Sequence, residues 1–532
     1  MTASFDFEGQ AVPAIPGESI AAALTRAGIR GLRVTRSGAT RGVFCGMGVC
    51  QDCLVEVDGV PNRRACMTKV DGPVLVRRQV AVPRLPLATP TAAQGQTLTP
   101  DVLVVGAGAA GLHAALAARG RGARVLLVDE RPTDGGQYYK QSAHPGPARD
   151  AQAAEGARLM SQVTSSGVVW WRGAEVWGAF ADLSGGPTFM VRHGGSGHRI
   201  DPARVVLATG AYERPWPVPG WTLPGVMTTG AAQTLLRSYG VVAGQRVLIA
   251  GYGPLNLQVA CELAAAGAEV VAVAEAAAAP GLRQLPALTR MALTGPRLTW
   301  RGRAMLRDLA RRGVPVLFGQ VLRGVVAEAA GLVAEVGSAG QPSRRFAADV
   351  VCLGYGFVPA NELARALGCD HADSGLRAVR DGDGRSSLAR VFIAGDGAGL
   401  GGAPAAVAEG MLAGWAAAAD LGFGTDALQL ASARRALRRH RRFQRALWSV
   451  FASGAQPPVT PDTLICRCEE LCADDLMPLI GPEASDLNAL KRITRLGMGR
   501  CQGRYCAAHL AHWGEGFTPR PPVRPVRIGD IA

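Results

Sequence analysis

The sequence predicts an α/β protein built on two nucleotide-binding units, with a small cysteine-bearing domain at each end. Two stretches, 101–130 and 245–275, each have the pattern of a strand, a glycine-rich turn, a helix and a second strand, which opens a doubly wound sheet. Nine of the twelve cysteines lie in two groups, four before residue 70 and five after residue 460. The 532 residues exceed the roughly 250 to 300 at which a single core stops growing, so we expect several domains.

The order of these patterns predicts the domain limits. The two units are more than a hundred residues apart, which indicates that the second domain is inserted into the first. The stretch after residue 81 contains Pro, Thr and Gln and little apolar periodicity, which is typical of an extended linker. We therefore expect a cysteine-bearing domain at 1–81, a linker at 82–100, a nucleotide-binding domain formed by 101–213 and 348–429, an inserted second unit at 214–347, and a helical tail at 430–532.

The formal net charge of +15 comes mostly from arginine, and part of it is concentrated in one run. Such a run attracts nucleic acid, anionic lipid or an acidic protein partner. We favour a solvated helix face with Leu437 and Leu447 turned inward. The chain shows no basic groove interleaved with aromatic residues, so we expect no nucleic-acid binding. The run consists of Arg434, Arg435, Arg438, Arg439, Arg441, Arg442 and Arg445.

The N-terminal twenty residues have early acidic side chains and no uninterrupted apolar stretch, unlike a secretory signal. The most apolar windows, such as 259–280, contain glutamates that are costly inside a bilayer, so we predict no transmembrane helix. We expect a cytoplasmic protein that touches at most the inner surface of the membrane. Cytosolic thiols stay reduced, so twelve cysteines indicate metal ligation or redox chemistry.

The first glycine-rich turn has the residues that a pyrophosphate site needs. Gly106 permits the tight turn, Gly108 lets the backbone approach the phosphates, and Gly111 lets helix and strand pack closely. We include Ala110, in the same turn, among the cofactor contacts. The N-terminus of the following helix offers free N–H groups and a positive dipole end to the phosphates.

An acidic pair ends the second strand and is suited to a ribose hydroxyl. We prefer Asp129 as the ribose partner because it lies eighteen positions after Gly111, with Glu130 as the alternative. The two side chains cannot point the same way in a strand. Both acids disfavour a 2′-phosphate, although Arg131 is close enough to weaken that argument. At this point either FAD or NAD fits the site.

Three later segments favour FAD. They are Gly135-Gly136-Gln137, Ala208-Thr209-Gly210 and Gly395-Asp396-Gly397. Each alone could be an ordinary turn after a buried strand. Together with the first turn, the four resemble the arrangement in two-dinucleotide-binding flavoproteins. The resemblance implies that Asp396 holds the ribitol chain and that the helix from Ala405 points its N-terminus at the flavin ring. The predicted contacts are Gly136, Gln137, Val176, Thr209, Gly210, Gly395 and Asp396.

The second unit keeps Gly251 and Gly253 but has Asn256 in place of the third glycine. We expect looser packing of helix on strand there, and hence a retained scaffold without a tight NAD site, or one that holds another nucleotide. Glu275 remains available for a ribose. Flavin disulfide reductases resemble this layout, but residues 137–150 contain no cysteine pair, so that chemistry is excluded.

Four N-terminal cysteines have the spacing C-x4-C-x2-C-x12-C, whose first three positions match the plant-type ferredoxin loop. Interleaved glycines suit a loop that wraps a cluster and offers N–H groups to its sulfurs. Zinc is the competing metal, but zinc sites usually pair their ligands as C-x2-C twice, so we favour a 2Fe-2S cluster. The predicted ligands are Cys45, Cys50, Cys53 and Cys66.

The stretch from Gly42 to Gly72 also resembles the ferredoxin-like domain of sarcosine oxidase alpha subunits and of the small subunit of bacterial hydrogen cyanide synthase. The resemblance spans nearly all of residues 5–80. It implies a β-grasp domain that carries 2Fe-2S.

The C-terminal cysteines have the spacing C-x-C-x32-C-x4-C. The segment ITRLGMGRCQGRYC closely resembles the bacterioferritin-associated-ferredoxin module, which implies a small helical domain with a second 2Fe-2S cluster. A zinc site or a site that has lost its metal is the alternative. We regard Cys472 as a bystander, and Cys261, Cys352 and Cys369 as core thiols. The implied ligands are Cys466, Cys468, Cys501 and Cys506.

Residues 101–510 resemble the large FAD subunit of the hydrogen cyanide synthase, opine oxidase and D-hydroxyproline dehydrogenase group. The resemblance implies a partner FAD subunit of the D-amino-acid-oxidase type that oxidises the amine, an FMN at the subunit interface in some members, and a final acceptor such as quinone. Sarcosine oxidase alpha subunits differ in a long folate-binding C-terminal half, for which this chain has no room. We assign no acid–base catalytic residue to this chain.

A flavin accepts two electrons and releases them singly, and each 2Fe-2S cluster carries one, so this cofactor set suits a relay from an amine to an acceptor. Two other hypotheses stay open. One is a self-contained NADH-dependent reductase that uses the second unit, and the other is a non-enzymatic docking or iron-handling protein.

Overall fold

A computed structural model of the chain describes residues 3–84, 95–131, 133–181, 186–338, 340–480, 486–510 and 516–526. Its architecture confirms the predicted fold class. The chain first forms a mixed five-stranded sheet and then two parallel five-stranded sheets. The second parallel sheet is inserted in the sequence before the last strand of the first. Among the described residues, none of the helices combines the length and the apolar character that crossing a bilayer requires.

The N-terminal sheet has the strand order β2-β1-β7-β5-β6, in which β1 runs parallel to β7 and the other pairs are antiparallel. Ser19 caps α1 by accepting a hydrogen bond from the Ala22 amide, and the helix packs its apolar side on this β-grasp sheet. The elements are β1 (Ala3–Phe7), β2 (Gln10–Ala14), α1 (Ile20–Arg26), β3 (Arg33–Val34), β4 (Thr40–Arg41), β5 (Leu54–Val57), β6 (Val60–Arg64) and β7 (Leu75–Arg78).

The first nucleotide-binding region follows. Its strands β9 and β10 are apolar and buried along nearly their whole length, as expected of central strands in a parallel sheet covered on both faces. The elements are β8 (Thr97–Leu98), β9 (Val102–Val105), α2 (Ala109–Arg119), β10 (Val125–Asp129), α3 (Ala151–Ser165), β11 (Val169–Arg172), β12 (Glu175–Ala181), β13 (Pro187–His193), β14 (Ser196–Ile200) and β15 (Arg204–Leu207).

The expected linker at 82–100 is only partly observable, because residues 85–94 lie outside the described part of the chain. The last part of the linker belongs to a sheet. Thr97 and Leu98 form β8, which adds a parallel strand to β14 in the four-stranded sheet β12-β13-β14-β8.

The inserted unit contains the second parallel sheet, with the order β17-β24-β18-β19-β20. Thr228 caps the start of α4, and Gly240 ends that helix with a left-handed φ of 68°. The elements are β16 (Ala211–Glu213), β17 (Val226–Thr228), α4 (Thr229–Tyr239), β18 (Arg246–Gly251), α5 (Pro254–Ala265), β19 (Glu269–Glu275), α6 (Leu285–Thr294), α7 (Pro296–Arg311), β20 (Val316–Phe318), β21 (Val321–Glu328), β22 (Gly331–Gly337), β23 (Arg344–Ala348) and β24 (Val350–Gly354).

The chain then returns to the first region. Strand β25 pairs with β16, and β28 completes the first parallel sheet in the order β11-β10-β9-β15-β28. The elements are β25 (Phe357–Pro359), α8 (Glu362–Leu367), β26 (His371–Ala372), β27 (Arg377–Ala378), β28 (Val391–Ile393), α9 (Ala403–Ala419), α10 (Ala427–Val450), β29 (Leu464–Cys466), β30 (Leu471–Cys472), α11 (Ala473–Leu476), α12 (Leu487–Thr494) and α13 (Cys506–Leu510).

Helices α2 and α9 pack unusually close together. A Cβ at Gly410 or Gly414 would overlap the backbone of α2 at Ala110 or Ala114, so glycine is needed at both positions. This contact brings the N-terminus of α9 next to the glycine-rich turn that starts α2.

The predicted helical tail consists of two parts, the long helix α10 and a group of short elements that carries the cysteines. Helix α10 buries Leu437 against α9 and packs Leu447 with residues of α6, which confirms the predicted inward side. Arg434 and Arg441 differ from the expected solvated face, because they form ion pairs with Asp383 and Glu409. Cys466, Cys468 and Cys506 pack in a separate cluster of short elements from β29 to α13, whereas Cys501 belongs to the core cluster that also contains Cys45 and Cys50.

Candidate flavin and iron–sulfur sites

The first glycine-rich turn is held in place by Asp129. A Cβ at Gly111 would overlap the carbonyl oxygen of Gly106, which explains the third glycine. Asp129 Oδ2 accepts a hydrogen bond from the Ala107 amide at 2.6 Å, and Oδ1 accepts one from the Arg131 amide at 2.8 Å. Burial raises the pKa of Asp129. The carboxylate therefore fixes the backbone of the turn in addition to facing the cavity beside it.

A cavity of about 380 Å³ extends from this turn and is lined by residues of both the first parallel-sheet region and the inserted unit. Thirteen of the residues predicted from the sequence to contact the cofactor line it. Gly111 is not among them, because it lies in the packing of helix against strand. The thirteen are Gly106, Gly108, Ala110, Asp129, Glu130, Arg131, Gly136, Gln137, Val176, Thr209, Gly210, Gly395 and Asp396.

Asp129 and Glu130 both line this cavity, so either can meet a ribose there. Glu130 forms an ion pair with Arg524 at 2.8 Å, and Arg524 lines the cavity too. No pattern in the sequence points to Arg524, because it lies almost 400 residues away in a segment without a motif.

Asp396 lies between β28 and α9, and its neighbour Gly395 packs closely against Ala110 of the first turn. Asp396 Oδ1 accepts hydrogen bonds from the amides of Gly401 and Gly402 at 2.8 and 2.9 Å. Burial raises its pKa. The first turn of α9 lines the cavity at Ala403 and Ala406, so the positive end of that helix dipole faces it.

Two buried charged side chains that the sequence did not reveal line the same cavity. Lys140 Nζ donates a hydrogen bond to Gln233 Oε1 at 2.8 Å, and burial lowers the pKa of Lys140 to about 7. Glu213 Oε2 accepts a hydrogen bond from the Gly230 amide at 2.6 Å, and burial raises the pKa of Glu213 to about 7. Glu213 Oε1 is buried without a hydrogen-bond partner among the described residues. The cavity thus contains an acid and a base that both titrate near neutral pH.

The four N-terminal cysteines are buried and form two pairs. The thiol of Cys45 is hydrogen-bonded to that of Cys50, and the thiol of Cys66 to that of Cys53. Burial alone would raise the pKa of Cys45, but hydrogen bonds from Cys50 and from backbone amides lower it to about 6. The Cys50 amide also donates to Cys45 Sγ at 3.4 Å. This environment stabilises a thiolate, the form that binds metal.

The C-terminal cysteines form two pairs as well. The thiols of Cys466 and Cys506 are hydrogen-bonded, as are those of Cys468 and Cys501. Cys472 lies in the neighbouring strand β30, where its amide donates a hydrogen bond to Asp475 at 2.7 Å.

The pairing of the thiols bears on the choice of metal. A 2Fe-2S cluster takes two thiolates on each of two irons, whereas a zinc ion takes all four ligands itself. The two thiol pairs in each set are therefore compatible with a two-iron cluster.

The N-terminal cysteine loop forms one wall of the large cavity. Met47 and Val49, which lie between Cys45 and Cys50, line it. Gln137 Nε2 contacts Met47 Sδ at 3.8 Å. A group bound in the cavity would therefore lie directly against the loop that carries the first cysteine set.

The two cysteine sets also contact each other. Asp52, in the first loop, accepts hydrogen bonds from Arg33 at 2.6 Å and from Arg467, in the second loop, at 2.7 Å. The Arg467 guanidinium lies 3.7 Å from the centroid of the Phe44 ring, and Phe44 meets Tyr505 edge to face at 5.7 Å. Cavity, first cysteine set and second cysteine set thus form one continuous buried region.

In the second glycine-rich turn, Asn256 makes two hydrogen bonds. Its Nδ2 donates to the Gly354 carbonyl and its Oδ1 accepts from Thr229 Oγ1, both at 3.0 Å. Asn256 is thus held by two buried hydrogen bonds, which the sequence did not reveal. Glu275, which we considered for a ribose, accepts hydrogen bonds from the Gly253 and Ala277 amides at 3.1 and 2.9 Å.

The end of α10 covers this second turn. The Trp448 ring lies 3.3 Å from the position that a Cβ on Gly253 would take, and it meets Tyr252 edge to face. Ser453 Oγ donates to the Ala276 carbonyl at 2.8 Å. Gly251 and Gly253 therefore lie beneath the chain's own helix instead of lining the large cavity.

Comparison with known proteins agrees with this architecture. The family described as pyridine nucleotide-disulphide oxidoreductase matches residues 100–410, and the family described as 2Fe-2S iron-sulfur cluster binding domain matches residues 1–81. The solved structure of L-proline dehydrogenase from P. horikoshii covers 100% of this chain and 98% of its own, with a TM-score of 0.74 and 20% identity, and so shares the fold.

Two relatives are similar over most of their length. An opine oxidase subunit of Agrobacterium tumefaciens (strain Ach5) is 36% identical over 469 residues, which cover 81% of this chain and 91% of that protein. Hydrogen cyanide synthase subunit HcnB of Pseudomonas protegens is 32% identical over 470 residues, which cover 80% of this chain and 94% of that protein. The chain therefore belongs to the pyridine nucleotide-disulphide oxidoreductase family, in the group of FAD and 2Fe-2S subunits that contains these two relatives.

Proposed function

We propose that this chain is the electron-transfer subunit of a heteromeric flavin-dependent dehydrogenase acting on an amino acid, secondary amine, imino acid, opine or glycine. A partner subunit of the D-amino-acid-oxidase type carries the FAD that oxidises the amine. The interface between the subunits is where an FMN would bind, as it does in some related complexes. Quinone or another acceptor receives the electrons. The protein works in the cytoplasm, at the inner face of the membrane.

One observation carries this proposal: the first cysteine loop forms one wall of the large cavity, and that loop is ion-paired with the second cysteine loop through Asp52 and Arg467. A separate docking or iron-handling protein would have no need for such continuity. The relatives are named as subunits of opine oxidase and hydrogen cyanide synthase, which supports a heteromeric complex.

The residues fit the cofactors that the proposal requires. The Gly106 turn and the start of α2 would hold the FAD pyrophosphate, Asp129 or Glu130 a ribose, and Asp396 with the start of α9 the flavin end. Cys45, Cys50, Cys53 and Cys66 would hold one 2Fe-2S cluster. Cys466, Cys468, Cys501 and Cys506 would hold a second.

When bound, flavin and clusters together convert a two-electron donor reaction into single-electron steps. The contribution of the chain itself is to position and enclose these groups. Met47 and Val49 exclude water between the cavity and the first cysteine set. Lys140 and Glu213 can hold or release a proton at Nζ and at the carboxylate near neutral pH.

A self-contained NADH-dependent reductase is the second candidate, because Gly251 and Gly253 are retained. The Trp448 ring over Gly253 argues against it, since a dinucleotide pyrophosphate needs the space that the ring fills.

The test uses the purified chain alone and co-purified with a candidate partner subunit. Flavin absorbance is followed anaerobically after addition of NADH and then of candidate amino acids and opines. We expect bleaching by a substrate only when the partner is present, and none by NADH. Rapid bleaching of the isolated chain by NADH would contradict the proposal and favour the reductase.

A further inference from the structure

Nearly all of the chain's net charge lies on two segments that are in contact. Residues 281–312 contain eight arginines and one aspartate, and residues 427–450 contain seven arginines and no acidic residue, against a formal net charge of +15 for the whole chain. The segments form α6, α7 and α10. Met291 of α6 and Leu298 of α7 pack with Phe443, Ala446 and Val450 of α10, so the two basic segments are neighbours. We call their solvent-exposed side the basic face.

The same face exposes large apolar side chains. Leu282 is 85% exposed, Leu293 is 79% exposed and Trp300 is 68% exposed, and Leu285 is about half exposed. Their helices already bury other residues on the protein side, such as Met291 and Leu309. These four residues therefore project outward among the arginines without serving the core.

The arginines are poorly neutralised by the chain. In the part of the chain that the structure describes, ion pairs hold only Arg312, Arg434 and Arg441 of this set, with Asp308, Asp383 and Glu409 as partners. The other arginines of the set that are exposed to solvent include Arg283, Arg290, Arg297, Arg301, Arg303, Arg307, Arg435, Arg438, Arg439, Arg442 and Arg445.

We propose that this face binds the surface of an anionic membrane, with the arginines on lipid phosphates and the Leu and Trp side chains inserted among the headgroups. Helices with this composition lie in the interface plane of a bilayer, and each basic residue near an anionic surface adds to the attraction. Guanidinium groups pair with phosphate oxygens through two hydrogen bonds.

A protein partner suits this face less well. A protein would have to provide acidic groups for the exposed arginines and also bury the apolar side chains that lie among them. A headgroup layer accommodates both, because phosphate, water and acyl chains lie within a few ångströms of each other. The proposal deepens the proposed function, because it assigns the membrane contact to one face of the molecule. Its test depends on neither the flavin nor the clusters, so its failure would leave the electron-transfer role untouched.

The test is co-sedimentation of the holoprotein with vesicles of phosphatidylcholine alone and with vesicles that also contain phosphatidylglycerol. We expect binding only to the anionic vesicles, and its loss at high salt. The combined variant Arg297→Gln, Arg301→Gln, Arg303→Gln should weaken binding about 100-fold, at roughly fivefold per arginine. The variant Leu282→Ser, Leu293→Ser, Trp300→Ser, which keeps every charge, should weaken it about 10-fold or more.

A matched control removes three exposed arginines elsewhere, Arg36→Gln, Arg77→Gln and Arg158→Gln, and should bind nearly as the wild type does. Flavin content verifies that all variants fold. Equal binding to both vesicle types, or equal weakening in the control, would overturn the proposal. The proposal would also be overturned if the wild type did not bind vesicles and the arginine variant no longer co-purified with a partner subunit. That result would assign the face to protein docking.

Discussion

The carboxylate of Asp52 and the guanidinium of Arg467 form an ion pair at 2.7 Å that joins the two ends of the chain. Their side chains are only 1% and 4% exposed. Burial would raise the pKa of Asp52, but Arg467 and Arg33 hold it below the ordinary value. Since buried charges are costly when unpaired, the contact requires that the two cysteine loops stay together.

Replacing Arg467 by Met should therefore be strongly destabilising, because Asp52 keeps only Arg33 as its partner. We expect a loss of about 3 kcal/mol in the free energy of unfolding, the lower end for a broken buried pair. Arg495→Met, which removes an exposed arginine paired with Glu469, should cost less than about 1 kcal/mol. Denaturant titrations of the holoproteins check this. Equal losses in the two variants would show that the Asp52 contact does not hold the ends together.

A single cysteine replacement should remove the iron of one cluster and leave that of the other. Cys45→Ala and Cys468→Ala should each remove about half of the bound iron, because each variant breaks a different four-thiolate set. Cys472→Ala is the matched control and should keep all of it. Metal analysis of anaerobically purified protein measures the result. If Cys472→Ala loses iron while Cys468→Ala keeps it, the assignment of the second set is wrong.

Removing the Asp396 carboxylate should release the flavin. In Asp396→Ala the Gly401 and Gly402 amides lose their acceptor, so the turn before α9 is no longer fixed. Hydrogen bonds to a charged group contribute about 1.5 to 3 kcal/mol, so FAD affinity should fall roughly 10- to 100-fold. Asp373→Ala removes an exposed carboxylate and should bind FAD normally. Equilibrium dialysis with FAD distinguishes these outcomes, and retention of FAD by Asp396→Ala would refute the role of Asp396.

Glu213 should make the stability pH-dependent. Its pKa is raised from 4.5 when unfolded to about 7 when folded, so the unfolded state loses its proton first as the pH rises. The free energy of unfolding should therefore decrease by about 3 kcal/mol between about pH 4.5 and 7, because the folded state keeps Glu213 protonated while the unfolded state does not. As the pH rises from 4.5 to 7, the free energy of unfolding of Glu213→Gln should increase relative to that of the wild type. Above pH 7 the difference between the two should stay constant.

The same measurement on Glu56→Gln, which alters a carboxyl outside the cavity, provides the control for the Glu213 prediction. Lys140 affects stability at higher pH, because burial lowers its pKa from 10.5 to about 7. The unfolded state gains a proton at this lysine first, so the free energy of unfolding decreases as the pH falls from about 10.5 to 7. A stability gap for Glu213→Gln that stays constant from pH 4.5 to 7 would show that this carboxyl is ionised throughout.

The sequence was most informative where function depends on local spacing. Gly106 and Gly108 were recognisable because short intervals in a strand–turn–helix pattern define them, and both line the cavity. Asp396, which also lines it, was indicated by a family resemblance. The N-terminal cysteine ligands were inferred from spacing and the C-terminal ones from resemblance, and both sets remain predictions.

Contacts between distant segments could not be predicted in this way. Trp448 covers Gly253 from almost 200 residues away, and Asp52 meets Arg467 across 415 positions. Lys140 and Glu213 lie in stretches without a motif, so only the fold brings them to one cavity. Asn256 shows the same limit, because its burial depends on Thr229 and Gly354 rather than on its own turn.

The most direct test of the central claim is electron paramagnetic resonance of the reduced holoprotein, combined with counts of iron and flavin. The account predicts one FAD per chain and two distinct 2Fe-2S signals that broaden each other, because the cysteine loops are in contact through Asp52 and Arg467. A colourless protein, or one with zinc in place of iron at both cysteine sets, would contradict it.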